Sequence, residues 1–248
     1  MRNILITGGT GKIGGVLVKA MLNDGFNVAF TTRNFQNGQK FIKDNELNKE
    51  KTCVIEVDFQ DENAIDKISK QLKFSIDGVI HNARSLNNLE IDNNEGLVSS
   101  QQFQNEMFID VTFPYLLTYD LLHKHHPLKD VVFIGSIYGV VAHNTNLFEK
   151  ANFHPPINYG VAKAAQIHLT KELAVRLAKE NIRVNAVSYG GVEGRADEKF
   201  KKRYNNLTPL RGMLKEEDLY PPIQFLLKNE SNSITGENIK IDGGWTIW

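Results

Sequence analysis

Short apolar runs alternate with longer segments of helical periodicity along nearly the whole chain. In the longer segments, such as "DENAIDKISKQL", apolar residues recur at the spacing of one helical face. The short runs are rich in β-branched and aromatic residues, and they cover residues 3–7, 26–31, 53–57, 77–81, 131–135, 182–188 and 237–242. Strands this apolar are buried on both faces. The pattern therefore predicts an α/β fold: a doubly wound parallel sheet of about seven strands with helices on both sides.

One domain is expected over residues 1–248, because α/β architectures of this length often form a single core. No linker, repeat or low-complexity tract divides the chain. Lys plus Arg and Asp plus Glu both number 29, so the formal net charge is zero. No basic block stands out that would follow a phosphate backbone. We therefore expect no nucleic-acid partner.

The cysteine content and the hydropathy indicate a soluble protein of a reducing compartment. The single cysteine, Cys53, cannot form an internal disulfide and lies in the strand-like run "CVIEV", where a small buried hydrophobe is expected. No apolar segment reaches the roughly 20 residues that span a bilayer. The N-terminal apolar run ends at Thr7, too early for a signal peptide. We expect a cytoplasmic protein with no membrane partner.

A glycine-rich stretch, "TGGTGKIGG" at residues 7–15, follows the first predicted strand and opens a helix. Glycines let the backbone turn tightly and approach a pyrophosphate, and the free N–H groups of the following helix favour anionic oxygens. In doubly wound sheets, ligands bind outside the carboxyl ends of the strands, where this stretch lies. A plain structural turn is the alternative. The position after the first strand favours a mononucleotide-binding unit.

The second predicted strand ends in "FTTRN", where an NAD-binding unit normally places an acid. No Asp or Glu occurs between Gly25 and Lys43. Arg33 stands there instead, and a guanidinium pairs well with a 2′-phosphate. Lys12 would add to the same positive field. These residues predict NADP(H) as the preferred cofactor, with NAD(H) as the alternative; the competing interpretation makes both side chains solvated surface cations.

Polar residues also close the later predicted strands. Asp58 ends the third, where its carboxylate would accept a hydrogen bond from an adenine amino group; a helix N-cap is the alternative role. The fourth ends in "HNAR", residues 81–84. Ser136 ends the fifth and is expected at the mouth of the cleft.

A phenol and an ammonium stand one helical turn apart in "NYGVAK", at Tyr159 and Lys163. Residues four apart share a helix face, with Cβ atoms about 5–6 Å from each other. An adjacent ammonium favours the phenolate, so this pair predicts a tyrosine that exchanges a proton at neutral pH. On an ordinary helix the same pair is a partly buried aromatic beside a surface cation. Ser136 and the glycine turn favour the reactive interpretation.

Eight motifs, in this order, resemble the short-chain dehydrogenase/reductase family over nearly the whole chain. They are "TGGTGKIG", "VDF", "HNA", "IDVTFPYLLT", "IGSIYG", "YGVAK", "RVNAVSYGGV" and "ITGENIKIDGG". The resemblance implies a single-domain Rossmann fold. It also implies an enzyme that moves a hydride between NAD(P) and an alcohol or carbonyl of a small-molecule substrate, and a homotetramer or homodimer.

The same resemblance assigns roles to residues of this chain. Tyr159 would protonate the carbonyl oxygen, Ser136 would hydrogen-bond it, and Lys163 would assist Tyr159 and bind the nicotinamide ribose. Asp110 takes the place of the usual catalytic asparagine, which puts the proton relay in question because a carboxylate accepts but does not donate. The implied cofactor-binding residues are Gly8, Thr10, Gly11, Lys12, Ile13, Gly14, Arg33, Asp58, Phe59, Asn82, Ala83, Tyr159, Lys163 and Val192.

Three further positions depart from the family pattern. Lys12 replaces the usual second glycine of the turn, Tyr189 stands where proline is usual, and Gly194 stands where a threonine often contacts the cofactor. We expect some loss of cofactor affinity and not loss of the site. Together with Asp110, these departures leave a second function open: a cofactor-binding sensor or scaffold with impaired chemistry.

The interval between Ser136 and Tyr159 is longer than usual in the family, and the loop at 137–157 is expected to lie over the substrate. The sequence of this loop resembles that of family members in bacterial surface-sugar and nonulosonic-acid pathways, which implies a nucleotide-linked or amino sugar as substrate. Candidate hydroxyl-binding residues in the loop are His143, Asn144, Asn146 and His154. The alternative is that they only stabilise the loop.

Two other features have ordinary explanations. The stretch "HKHH" at 123–126 is expected to end a helix, where cations suit the negative helix end, so no metal site is predicted. Trp245 and Trp248 are expected to be tucked against a neighbouring subunit, because apolar aromatic surface is rarely left in water.

Overall fold

The strands lie where the apolar runs predict them. The computed structural model describes residues 2–85, 97–148, 155–194 and 196–248. The strands are β1 (Asn3–Ile6), β2 (Asn27–Thr32), β3 (Thr52–Glu56), β4 (Gly78–His81), β5 (Asp130–Ser136), β6 (Arg183–Tyr189) and β7 (Asn238–Ile241). They form one parallel sheet in the order β3-β2-β1-β4-β5-β6-β7. The prediction of a seven-stranded, doubly wound parallel sheet in a single α/β domain is confirmed.

Helices connect the strands and cover both faces of the sheet. They are α1 (Lys12–Asn23), α2 (Phe35–Asp44), α3 (Ala64–Gln71), α4 (Ser100–Met107), α5 (Phe113–His123), α6 (Ile157–Leu177), α7 (Glu198–Leu207) and α8 (Pro221–Leu227). Among the described residues, no helix combines the length and the apolarity that a bilayer crossing requires.

A π-helical segment, Phe108–Thr112, joins α4 to α5, so the helical stretch between them is interrupted. Pro114 lies in the first turn of α5 and has no N–H to donate to the preceding turn. Widened helical turns accommodate such a missing bond and often occur at functional sites. The widened turn carries Asp110, which is fully buried.

Two hydrophobic layers enclose the sheet. Leu5 of β1 packs into the layer that includes α5 and α6, whereas its neighbours Ile4 and Ile6 pack into the layer that includes α1 and α8. All three side chains are 0% exposed. Burying each aliphatic side chain contributes about 1.5–3 kcal/mol. The continuous apolar character of the strands therefore reflects burial on both faces.

Cys53 behaves as the small buried hydrophobe that its strand predicts. The thiol is buried in β3 and its Sγ donates to the carbonyl of Gln71 at 3.3 Å. Burial raises the pKa of the Cys53 thiol. Such a thiol is unreactive at neutral pH and serves packing.

The two C-terminal tryptophans have different environments. Trp245 is 5% exposed and its ring stacks on Tyr204 of the same chain, with the centroids 4.5 Å apart. The expectation that it is tucked against a neighbouring subunit is therefore wrong, because its ring is already buried in its own subunit. Trp248 is 76% exposed, and its subunit contact stays a prediction.

Candidate active site

A cleft of about 1300 Å³ opens at the carboxyl edge of the sheet. Every catalytic and cofactor-binding residue that the sequence predicts lines it, except Lys163 and Asp110. The predicted residues on its walls are Gly8, Thr10, Gly11, Lys12, Ile13, Gly14, Arg33, Asp58, Phe59, Asn82, Ala83, Ser136, Tyr159 and Val192. The parallel sheet thus brings together side chains that are far apart along the chain.

The glycine turn is shaped by close backbone approaches. Gly8 has a φ of +69°, in the left-handed region that favours glycine, and a Cβ added at Gly14 would lie 2.2 Å from the carbonyl oxygen of Gly8. Asn82, which directly follows β4, stabilises the turn, because its Nδ2 donates to the carbonyls of Thr7 and Gly8 at 2.9 and 3.2 Å. The result is an open cradle in front of the N-terminus of α1, which suits a pyrophosphate.

Arg33 and Asp58 occupy the walls beyond β2 and β3. Arg33 is exposed and forms no ion pair with any residue that the structure describes. Asp58 accepts a hydrogen bond from the backbone N–H of Gln60 at 3.0 Å. The N-cap of α3 is Asn63, so the alternative role of Asp58 as the cap of this helix is wrong. Its carboxylate serves a local turn and faces the cleft.

Lys12 reaches across the cleft. Its Nζ donates to the backbone carbonyl of Val192 at 3.1 Å. Val192 follows β6, whereas Arg33 follows β2 on the other side of β1. The ammonium of Lys12 is therefore bound on the β6 side of the cleft, and its contribution to the positive field around Arg33 stays a prediction.

Lys12 and Gly194 form one arrangement. Gly194 has a φ of +132°, and a Cβ added there would lie 2.7 Å from Nζ of Lys12. A side chain at this position would meet the ammonium that occupies the space. Two separate departures from the family pattern are thus coupled in the folded chain.

Ser136 is held against the start of α6. The residue ends β5, and its Oγ accepts from the N–H of Tyr138 at 3.2 Å. In the turn that follows, a Cβ added at Gly139 would lie 2.7 Å from the carbonyl carbon of Lys163, and one at Gly160 would lie 3.1 Å from the carbonyl oxygen of Tyr138. This turn and α6 therefore touch through their backbones. Ser136 and Tyr159 consequently line the same cleft.

Lys163 lies behind the cleft wall. Its Nζ donates to Oδ1 of Asp110 at 3.0 Å, to the carbonyl of Ile134 at 2.9 Å and to Oε1 of Gln166 at 3.3 Å. These contacts account for all three donors of an ammonium group. Nζ is 5.9 Å from the centre of the Tyr159 ring. Lys163 is 4% exposed and Asp110 is 0% exposed, so the pair is shielded from solvent.

Arg84 is a site residue that the sequence analysis missed. Its Cζ lies over the ring of Tyr159, 4.2 Å from the ring centre, and the side chain lines the cleft. The sequence feature that could have indicated Arg84 is a cation directly after the strand-end triplet "HNA". Exposed cations are common after strands, so the sequence pattern by itself favoured a surface role.

The loop at 137–157 contributes one of its polar candidates to the cleft. His143 lines the cleft, and its ring stacks on Tyr138 with the centroids 3.7 Å apart. Asn144 accepts from the N–H of Asn146 at 3.0 Å, which stabilises the loop as the alternative interpretation states. His154 lies outside the described residues.

The "HKHH" stretch follows the end of α5. α5 ends at His123, as predicted, and Nδ1 of His126 accepts from the N–H of Ile76 at 3.0 Å. Burial lowers the pKa of His126. Within the described ranges, no group of three or more His, Cys, Asp or Glu side chains is arranged to hold a metal ion.

Comparisons with known proteins match nearly the full chain. A family model described as enoyl-(acyl carrier protein) reductase matches residues 10–246. Uncharacterized oxidoreductase YmfI of Bacillus subtilis (strain 168) is 27% identical over 98% of this chain and 98% of its own length. Post-translational flagellin modification protein A of Campylobacter coli is 32% identical over 124 residues, which cover 50% of this chain and 48% of that relative. The structure of 4-hydroxyisoleucine dehydrogenase complexed with NADH has a TM-score of 0.84 and 25% identity, with 100% of both chains covered.

Proposed function

The chain belongs to the short-chain dehydrogenase/reductase family and is an NAD(P)-dependent oxidoreductase; we propose that it uses NADP(H) to interconvert a polar carbonyl compound and its alcohol. One observation carries this proposal. The glycine turn, Ser136 and Tyr159 line a single cleft at the carboxyl edge of the sheet. In open α/β sheets this edge is where ligands bind.

The cleft fits a dinucleotide cofactor. A Cβ at Gly14 would clash with the carbonyl oxygen of Gly8, so glycine at this position lets α1 pack closely against the turn. The N-terminus of α1 then lies at the cleft, where its free N–H groups would suit a pyrophosphate. Arg33 and Asp58 would hold the adenosine half, and Val192 would meet the nicotinamide through its backbone. The cofactor supplies or accepts the hydride.

The side chains of the cleft carry the proton chemistry. During reduction, the hydroxyl of Tyr159 donates its proton to the carbonyl oxygen of the substrate, and Ser136 donates a hydrogen bond to the same oxygen. Lys163 supports Tyr159 from behind the wall, since its ammonium is 5.9 Å from the ring centre. A contact between Lys163 and the nicotinamide ribose requires one of its three present hydrogen bonds to be released.

The preference for NADP(H) rests on Arg33. The end of β2 offers an exposed guanidinium, and no acid lies between Gly25 and Lys43 to accept ribose hydroxyls. The solved structure of 4-hydroxyisoleucine dehydrogenase contains NADH, so family membership alone leaves the choice of cofactor open.

A sugar or nucleotide-linked sugar is the proposed substrate class. Support comes from the similarity of half the chain to a flagellin modification protein. His143 of the long loop also lines the cleft, and a polar side chain there suits a substrate that carries hydroxyls.

A homotetramer is the proposed assembly, with a homodimer as the alternative. Apolar side chains on α5 and α6, which are the usual pairing helices of the family, are exposed: Tyr115 (41%), Leu116 (41%), Ile157 (62%) and Val161 (42%). Such surface favours association. Light scattering that shows a stable monomer would reject both assemblies.

A cofactor-binding protein with impaired chemistry is the second candidate. It is favoured by the buried pair of Lys163 and Asp110, because the carboxylate offsets the charge that would otherwise act on Tyr159. The presence of both Ser136 and Tyr159 on the cleft wall favours the enzyme.

Consumption of NADPH across a panel of sugars and small carbonyl compounds separates the two candidates. We expect turnover by the wild type, its loss in Tyr159→Phe and a strong reduction in Ser136→Ala. Tyr115→Phe on α5 removes the same hydroxyl from an exposed site and should retain turnover. Equal rates for wild type and Tyr159→Phe with every substrate would remove the catalytic assignment.

A further inference from the structure

Arg84 is fixed at the reacting end of the cleft by the ring of Tyr159. The distance of 4.2 Å from Cζ to the ring centre is within the range of a cation–π contact. A cation–π contact depends on the charge of the guanidinium and does not occupy its N–H groups as hydrogen-bond donors. Among the described residues, none accepts a hydrogen bond from Arg84 or forms an ion pair with it. None of these residues therefore competes with a ligand for its N–H groups.

Three other arginines of the chain pair with carboxylates. Arg2 and Arg183 both pair with Asp130, and Arg176 pairs with Glu172 at 2.8 Å. A guanidinium presents a planar set of donors that matches a carboxylate or a phosphate in bidentate geometry. Arg84 has the same donors, and no carboxylate within the described ranges pairs with them.

The acids on the cleft wall do not compensate Arg84. Asp58 accepts from the N–H of Gln60, and Asp197 accepts from the N–H of Phe200 at 2.7 Å, so each serves a local turn or helix cap. Of the other cations on the wall, Lys12 is bound to Val192, and Arg33 lies at the adenosine end. Arg84 therefore places a positive charge beside Tyr159 on the cleft side, whereas Lys163 lies behind the wall.

We propose that Arg84 binds an anionic group of the substrate, a carboxylate or a phosphate, close to the reacting carbonyl carbon. The position follows from the contact with Tyr159, because a group bound by Arg84 lies next to the phenol that exchanges the proton. The substrate class is thus a small oxo or hydroxy acid or a phosphate ester, sugar acids and sugar phosphates included. This inference rests on the proposed oxidoreductase function and adds a specificity-determining residue to it.

Matched pairs of carbonyl compounds test the inference. The phosphate pair is dihydroxyacetone phosphate and dihydroxyacetone; the carboxylate pair is 2-oxobutanoate and 2-oxobutanamide. kcat and KM with NADPH are measured for wild type, Arg84→Gln and Arg84→Lys. Arg176→Gln is the matched control, because it removes an exposed arginine from α6 without touching the cleft.

The wild type should prefer the anionic member of at least one pair. Arg84→Gln should lower kcat/KM for that member by about 10- to 100-fold more than for the neutral member, mainly through KM, whereas a change shared by both members reports loss of the charge over Tyr159. Arg84→Lys should recover part of the loss, since it restores the charge but not the bidentate geometry. An unchanged preference in Arg84→Gln, or equal losses for both members, would overturn the inference.

A binding measurement separates this inference from the catalytic proposal. Calorimetry with succinate and with inorganic phosphate is done on NADP⁺-loaded Tyr159→Phe, which keeps the ring under Arg84, with and without Arg84→Gln. Binding of either ion that is lost with Arg84 supports the inference, and the ion identifies the carboxylate or phosphate class. Binding that is absent, or that is independent of Arg84, contradicts it. Retained turnover in Tyr159→Phe would refute the catalytic proposal without affecting this measurement.

Discussion

Lys163 and Asp110 form a buried ion pair behind the active-site wall, with Nζ 3.0 Å from Oδ1. The second carboxylate oxygen of Asp110, Oδ2, is buried and has no hydrogen-bond partner among the described residues. The side-chain amide of Gln166 adds to the cluster by donating to the backbone carbonyl of Asp110 at 2.9 Å. A charge placed where the family usually has a neutral asparagine is therefore balanced by the lysine itself.

Removal of the Asp110 side chain should destabilise the fold strongly. Asp110→Ala leaves the ammonium of Lys163 buried without its counter-charge, and loss of one partner of such a pair costs about 3–5 kcal/mol. Asp110→Asn keeps an acceptor oxygen and should cost less. Chemical denaturation measures both losses in the free energy of unfolding. Asp66→Ala, which breaks the exposed pair with Lys70, is the control and should cost less than about 1 kcal/mol. Equal small losses for Asp110→Ala and the control would contradict the prediction.

Arg33 should set the cofactor preference. Arg33→Gln removes the guanidinium proposed to pair with the 2′-phosphate, so the dissociation constant of NADPH should rise about 10- to 100-fold while that of NADH stays unchanged. Fluorescence titration of the purified protein measures both constants. Arg176→Gln serves as the charge-matched control on the surface of α6. Equal or tighter binding of NADH by the wild type would refute the preference for NADP(H).

Lys12 and Gly194 should be energetically coupled. Gly194→Ala strains a φ of +132°, at a cost of about 1–3 kcal/mol, and its Cβ displaces the Lys12 ammonium from its hydrogen bond with Val192. In a Lys12→Ala background the ammonium is absent, so the same substitution should cost at least about 0.5 kcal/mol less. Unfolding free energies of the four proteins of this double-mutant cycle give the coupling. Additive effects would show that the two residues act independently.

His81 should make the stability depend on pH. The side chain is 2% exposed, Nε2 lies 2.9 Å from Oγ1 of Thr118, and burial lowers the pKa of His81 to about 3. An unfolded histidine has a pKa near ~6.5, so below this pH the unfolded chain binds a proton that the native chain excludes. The free energy of unfolding should therefore fall as the pH drops from about 6.5 towards about 3, by ~1.4 kcal/mol per pH unit from this group.

Urea denaturation between about pH 7 and pH 5 tests this dependence. His81→Gln should remove this part of the slope. His168→Gln replaces an exposed histidine of α6 and should leave the slope as it is in the wild type. A slope that is the same in wild type and His81→Gln would exclude His81 as its origin.

The strands and the cleft were predictable because their signals are local. The apolar runs mark burial on both faces of a parallel sheet, and the glycine turn requires conformations that are read from residues 7–15 alone. Tyr159 and Lys163 are four residues apart, so a shared helix face follows from helical geometry. The place of Ser136 in the cleft could be predicted from the position of a strand end alone. The wrong expectation for Trp245 arose because its partner, Tyr204, belongs to a different element.

By itself, the sequence determined the layer architecture, the edge of the sheet where a ligand binds and the residue types available there. The tertiary structure alone decided which partner each cation contacts. Lys12 donates to a carbonyl 180 residues away, Lys163 pairs with Asp110 at a separation of 53 residues, and Arg84 lies on the face of the Tyr159 ring. Backbone periodicity is set by neighbours in the chain. The partner of a long cationic side chain is set by which elements meet in space, since its energy depends on distance and burial.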